Sequence, residues 1–269
     1  MGDGGITSPK HFFMVSKNEV REKIWRTLGN EGIALFPGAR GRIPNFKGAD
    51  EAARLLSTLP EWQKALSIKA NPDFPQRRVR HLALISGKTI YMAVPKLREK
   101  KCFIRLDPAK ILSKKFFEAS SIKGAFKFGL PVHPKEIPQI DLMIAGSVAA
   151  NRKGSRIGKG GGYSDLEYAI GLEFGFVKEE VVIVTTVHPL QIVEEELPEK
   201  DHDFRIDYIV TPTEIVPTHR KGGRPPGILR SHLTEQKITE VPILKKFYLS
   251  IRNKETSLLS DSSLKICKG

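Results

Sequence analysis

The 269-residue sequence predicts an α/β protein with one open sheet and helical crossovers, on three observations. Short apolar runs rich in Val, Ile and Leu alternate with longer segments of helical period along most of the chain. Prolines and glycines punctuate the joints, as at Pro95 and Pro217. No stretch approaches about 18 apolar residues without a charge, so the apolar runs read as strands and buried helix faces rather than membrane spans. Repeated strand–helix alternation builds a sheet whose connections cross over its faces.

The elements follow in order. Ser16 is placed to cap a helix over residues 18–28, with Glu19 three positions later completing a capping box, and Val20, Ile24, Trp25 and Leu28 fall on one face. Lys17 and Arg21 stand four residues apart in its first turn. They either converge on one anion or remain two solvated cations, and the spacing alone leaves both open. Residues 32–37 predict a short buried strand, 49–59 a helix, 65–69 a strand, 77–85 a helix and 89–94 a strand stopped by Pro95. Residues 102–105 predict an edge strand and 108–121 a helix, followed by a loop over 128–134. A buried strand over 141–145 leads through Gly146 to a glycine-rich segment. A helix over 163–174 turns Leu166, Ile170 and Phe174 inward, and strands follow over 181–187 and 208–211. After Pro217 the basic, Gly- and Pro-rich run 219–227, the segment 228–247 and a polar tail predict a wrapping extension.

The segment Arg156-Ile157-Gly158-Lys159-Gly160-Gly161-Gly162-Tyr163-Ser164-Asp165 carries the most chemistry. Glycines allow close backbone approach, N–H groups before a helix attract anions, Arg156 and Lys159 supply charge, and Asp165 is suited to a magnesium ion shared with phosphate. The spacing is neither GxxxxGK[ST] nor GxGxxG. An ordinary flexible surface loop is the competing reading.

The formal charge of +14 favours encounter with polyanions without naming one. Arg77, Arg78, Arg80 and the basic run after His219 keep a nucleic-acid- or protein-binding module as an alternative, although no RRM-like aromatic motif, zinc finger or helix-turn-helix pattern is found. Cys102 and Cys267 form neither a disulfide framework nor a zinc motif. With no apolar leader and no membrane segment, the expectation is a cytoplasmic protein.

With these residues assembled, the chain resembles the 5-formyltetrahydrofolate cyclo-ligase (methenyltetrahydrofolate synthetase) family, in its longer, divergent branch, over roughly residues 17–216. The 156–165 segment looks like the family's arginine, glycine-rich, tyrosine and aspartate signature. A second motif follows in order: Gln191-Ile192-Val193-Glu194-Glu195-Glu196-Leu197-Pro198, then His202-Asp203 and Asp207-Tyr208-Ile209-Val210-Thr211. Lys17 to Arg21 resembles the segment that sets a lysine and an arginine on ATP phosphates. Residues 42–48 and 91–95 also fit, with turn formation and core packing as their plain alternatives.

The resemblance implies a cyclo-ligase-like open three-layer α/β fold with helices on both faces. Its chemistry would be ATP- and Mg2+-dependent conversion of 5-formyltetrahydrofolate to 5,10-methenyltetrahydrofolate. Under it, Arg156, Lys159 and Asp165 are the catalytic candidates. Lys17, Arg21, Arg156, Gly158, Lys159, Gly160, Gly161, Gly162 and Tyr163 are the nucleotide-binding candidates, and Asp165 and Asp203 the magnesium-side carboxylates. Asp207 holds a water beside the site, orients Asp203 or serves the fold; His202 is a general acid or base or, the plainer reading, fixes its loop; His188 and Gln191 support the site from a strand end. Where many members carry two adjacent aromatics before the aspartate and an arginine after it, this chain has Tyr163-Ser164-Asp165-Leu166. A nucleotide-dependent enzyme with another substrate is therefore the remaining alternative. The expected division is a flexible segment over 1–16, an α/β domain over 17–216 and a basic extension over 217–269.

Overall fold

A computed structural model describes residues 15–220 and 222–245. Expectations for Lys221, Cys267 and the rest of residues 1–14 and 246–269 lie outside the described residues. Helix α1 (Lys17–Asn30) begins at the Ser16 capping box, with both reciprocal hydrogen bonds to Glu19 formed. Helices α2 (Ala49–Leu56) and α3 (Pro60–Lys64) lead to β1 (Ser67–Ala70), α4 (Arg77–Ile85) and β2 (Thr89–Ala93). Next come β3 (Phe103–Leu106), α5 (Phe116–Ala119), α6 (Ile122–Phe128), β4 (Leu130–Val132) and β5 (Leu142–Ala145). The hairpin β6 (Ala149–Ala150) and β7 (Arg156–Ile157) precedes α7 (Tyr163–Glu173), β8 (Val182–Thr186), β9 (Tyr208–Val210), β10 (Ile215–Pro217) and α8 (Glu235–Glu240).

Among the described residues the main sheet runs β10-β9-β8-β5-β1-β2-β3-β4. Its middle, from β9 to β2, is parallel, whereas β10 and the β3–β4 pair are antiparallel. All side chains of β1 and β5 are buried, which demands cover on both faces and explains the unbroken apolar character of β5, whereas β1 buries Ser67 and Lys69 with polar partners. The fold is thus α/β, with a mixed sheet and helices on both faces. Among the described residues no helix is long and apolar enough to cross a membrane.

Three expectations change. Residues 32–37 form no sheet strand: Ala34 makes one isolated bridge to Phe46, and Phe36 is 81% exposed, so an apolar run here marks surface rather than core. The β3 strand is not an edge, because β4 pairs outside it where a loop was expected; Pro131 and two exposed side chains give β4 little of a strand's pattern. The expected helix over 108–121 breaks into short 3-10 turns and α5.

A smaller cluster positions the site. Val20, Ile24 and Leu28 of α1 bury against Val148, Ala149 and Ile157 of the β6–β7 hairpin. Each buried side chain of this size contributes roughly 1.5–3 kcal/mol. That packing sets the first turn of α1 over the glycine-rich loop leaving Ile157.

Candidate functional site

Strand β1 has β2 on one side and β5 on the other, so the chain direction across the sheet reverses here. Loops leaving adjacent parallel strands part at such a point and open a crevice at their carboxyl ends. Asn71-Pro72-Asp73 leaves β1 and Gly146 leaves β5, and both line a cleft of about 430 Å3 with the glycine-rich loop and the start of α7.

Asn71 links the walls. Its Oδ1 accepts from the Gly146 N–H at 3.2 Å and the Ser164 hydroxyl at 3.3 Å, while its Nδ2 donates to Glu167 at 3.1 Å. Glu167 in turn pairs with Lys69 in the core. Buried Arg80 donates to the backbone carbonyls of Asn71, Pro72, Asp73 and Ser120, and burial lowers its pKa to about 9.

The loop cations divide their work. Arg156 donates to Asp165 at 2.9 Å, and its guanidinium carbon lies 4.2 Å from the Phe204 ring centre. The Arg156 Nε is buried without a hydrogen-bond partner among the described residues. Lys159 crosses the cleft to Asp73 at 2.6 Å. Lys17 pairs with Asp203, and Arg21 donates to the Gly158 carbonyl at 2.7 Å. Helix and loop are thereby joined, and the pairs connect residues from four separate parts of the sequence.

Backbone conformation fits this crowding. Gly160 and Gly162 have φ of 109° and 64°, the left-handed region that other residues enter at a cost. Gly162 starts α7 with no side-chain cap, leaving the first N–H groups of that helix directed outward. The Tyr163 hydroxyl donates to Glu240 at 3.3 Å, and burial raises its pKa.

Asp165 accepts from the Phe204 N–H at 3.4 Å, and Asp203 is the preceding residue, so the two carboxylates flank one peptide. Hydrogen bonds concentrate on Asp165 Oδ1 and Asp203 Oδ2, leaving one oxygen of each without a hydrogen bond among the described residues. Among the described residues, there or elsewhere, no group of three or more His, Cys, Asp and Glu side chains is placed to hold a metal ion by itself. That donor set suits an ion held by one or two carboxylates plus phosphate and water, as Mg2+ is, rather than a protein-only cage.

Asp207 faces elsewhere. It accepts from the Ile183 N–H at 2.8 Å and pairs with Arg220 and Arg224, which ties the β8–β9 edge to the later chain and leaves Asp203 to other partners. Gln191 donates to the Ser147 and Val148 carbonyls, and His188 caps the turn containing it. His202 lies 3.7 Å from Asp203 and 4.6 Å from the His232 ring, with its pKa lowered by burial.

The sequence profile of the 5-formyltetrahydrofolate cyclo-ligase family matches residues 14–212, and both ordered motifs fall inside that span. The chain belongs to the 5-formyltetrahydrofolate cyclo-ligase family. It is 39% identical over 256 residues to the methenyltetrahydrofolate synthase domain-containing protein of Mus musculus, covering 93% of this chain and 67% of that protein. The Homo sapiens protein of the same name is 36% identical over 254 residues, covering 93% and 65%. The chain therefore spans about two thirds of the length of these curated relatives. The NMR structure of Aquifex aeolicus 5,10-methenyltetrahydrofolate synthetase is 21% identical, covering 81% of this chain and 98% of that one, with a TM-score of 0.47.

The chain thus carries the cyclo-ligase-like fold of an enzyme family. Asp73, Asn71, Glu167 and Lys69 are cleft or cleft-supporting residues that the motif reading missed. Their signal was weak: Asn71-Pro72-Asp73 ends a strand with turn-forming residues, but the partner Lys159 lies 86 positions away. The cyclo-ligase family match stops before α8, although α8 reaches Tyr163.

Proposed function

We propose that this chain converts 5-formyltetrahydrofolate and ATP to 5,10-methenyltetrahydrofolate, ADP and phosphate. The observation that carries the reading is the meeting of Lys17, Arg21, Arg156 and Lys159 with Asp165 and Asp203 around one glycine-rich loop at the carboxyl ends of parallel strands. Family membership supports the same reaction.

The outward N–H groups at the start of α7 and the loop cations would bind the triphosphate. The formyl oxygen attacks the γ-phosphorus and the bond to the ADP oxygen breaks, which turns a poor leaving oxygen into a phosphate ester. N10 then attacks the formyl carbon and gives its N–H proton to the departing phosphate as the C–O bond breaks. Both steps spread negative charge over phosphoryl oxygens, so Arg156 and Lys159 are assigned its stabilisation. Asp165 and Asp203 would hold Mg2+, which would supply neutralisation of negative charge on the phosphates. No protein nucleophile is required. The residues' work is placement of the formyl group, phosphate and N10 within reach of each other.

The purified chain with 5-formyltetrahydrofolate, ATP and Mg2+ should generate methenyltetrahydrofolate absorbance and an equal amount of phosphate, with neither formed when any reactant is omitted. Nucleotide hydrolysis that is indifferent to the folate would instead assign the cleft another substrate.

A further inference from the structure

Residues 213–245 lie beyond the family match, yet α8 within them reaches the glycine-rich loop. Thr234 caps α8 by accepting from the Lys237 backbone N–H at 3.2 Å, and the following Val241 and Leu244 are buried in the main core. This seating holds the Lys237 ammonium 2.7 Å from where a Cβ would lie on Gly162, and 5.4 Å from the centre of the Tyr163 ring.

That ammonium is disfavoured by burial and by Lys200 and favoured by Asp165. It makes no hydrogen bond or ion pair among the described residues. Beside it is the uncapped start of the 11-residue helix α7, equivalent to roughly half a positive charge. Arg156 belongs to the same glycine-rich loop: its side chain is 2% exposed, and its Nε has no hydrogen-bond partner among the described residues. Asp165, which attracts the ammonium, is already hydrogen-bonded by Arg156. A lysine recruited only for stability would gain more from a carboxylate or a helix C-terminus than from a helix N-terminus. An unpaired ammonium beside an uncapped helix start is instead a place where an anion would be favoured.

We propose that Lys237 is a phosphate-contacting residue of the nucleotide site, delivered by the C-terminal extension rather than by the family domain. This rests on the reading that the loop binds ATP. Gly162 then serves two purposes: its φ of 64° starts the helix, and its missing side chain admits the ammonium. The predicted ligand is the polyphosphate, not the base or the folate, because the contacts available are charge and N–H groups. Nucleotide affinity and the seating of the extension would accordingly be linked.

Equilibrium binding of Mg·ATP and of AMP to the full chain and to Lys237→Gln, Lys237→Met and Lys237→Arg tests this. Loss of one charge-assisted contact should weaken Mg·ATP about tenfold in the Gln and Met variants, with most of the affinity restored by Arg. AMP, which lacks the outer phosphates, should bind all four proteins alike. The Met variant keeps the packing of the aliphatic stem, and thermal unfolding checks that each variant is folded. Unchanged Mg·ATP affinity in both neutral variants overturns the proposal, as does an equal loss for ATP and AMP. Failure of the unsubstituted chain to bind Mg·ATP is a separate outcome, which removes the nucleotide reading and this inference with it.

Discussion

Arg156 and Asp165 form a 2.9 Å ion pair across the glycine-rich loop, with the arginine side chain almost wholly buried and the aspartate at the mouth of the cleft. Two demands meet in this pair. It holds the loop against α7, and under the proposed reaction it supplies the cation and the carboxylate assigned to the transferring phosphoryl group. Asp165→Asn keeps an acceptor for Arg156 while removing the charge. Turnover should fall on the order of 100-fold with the fold retained. Asp165→Leu strands a buried guanidinium and should also lower unfolding free energy by roughly 3–5 kcal/mol. Steady-state kinetics and urea unfolding of the two variants separate the roles. Full turnover by Asp165→Asn would remove Asp165 from the chemistry.

Lys17 tests the contribution of α1. Its pair with Asp203 is partly exposed, so Lys17→Ala should cost the fold no more than about 1 kcal/mol. Its proposed contact with phosphate predicts a KM for ATP raised about tenfold, with the KM for the folate little changed. An ATP KM equal to that of the unsubstituted chain would leave Lys17 only its link to Asp203.

Much of this arrangement is legible in the residues, and the remainder is not for definable reasons. The Ser16–Glu19 box, the 77–85 helix and the strand ending at Ala145 carry local signals, and each forms at or within a residue or so of where those signals place it. The β4 edge and the two-residue β6 and β7 strands are set by partners elsewhere, and strands so short have no period to read. Strand order is equally non-local, so the reversal at β1, and with it the Asp73–Lys159 contact across the cleft, emerges only from the assembled sheet. Residues 32–37 differ from a buried strand because hydrophobicity does not guarantee burial: Leu35 and Phe36 lie on the surface.

Lys69 and Glu167 pair in the core beneath Asn71, with side chains 1% and 5% exposed. Removing one partner leaves the other charge without compensation, so Lys69→Met should destabilise by roughly 3–5 kcal/mol. The double variant Lys69→Met/Glu167→Leu should recover most of that loss. A double-mutant cycle by urea unfolding measures it; additive losses would mean that the two side chains act independently.

His188 predicts a pH dependence of stability. Its ring nitrogen accepts from the Leu190 N–H at 3.2 Å, a role open only to a nitrogen without a proton, and burial lowers its pKa below 6.5. A depressed histidine pKa means that the folded state favours the neutral ring. This contribution is present above the unfolded pKa and is lost as pH falls through the folded one. Between about pH 7.5 and about pH 5.5 the melting temperature should fall further for the unsubstituted chain than for His188→Asn, whose side chain caps without titrating. Equal falls would show that the cap does not titrate in this range.

Transfer of the formyl oxygen to phosphorus is the step on which the whole assignment turns, and an isotope can follow it. The chain should be supplied with 5-formyltetrahydrofolate carrying 18O in the formyl group, together with ATP and Mg2+, and the released phosphate analysed by mass spectrometry. One 18O atom per phosphate, formed in step with methenyltetrahydrofolate, is the expected result. Phosphate that carries no label, or product that accumulates without ATP cleavage, would show that the cleft does not activate the formyl group by phosphorylation.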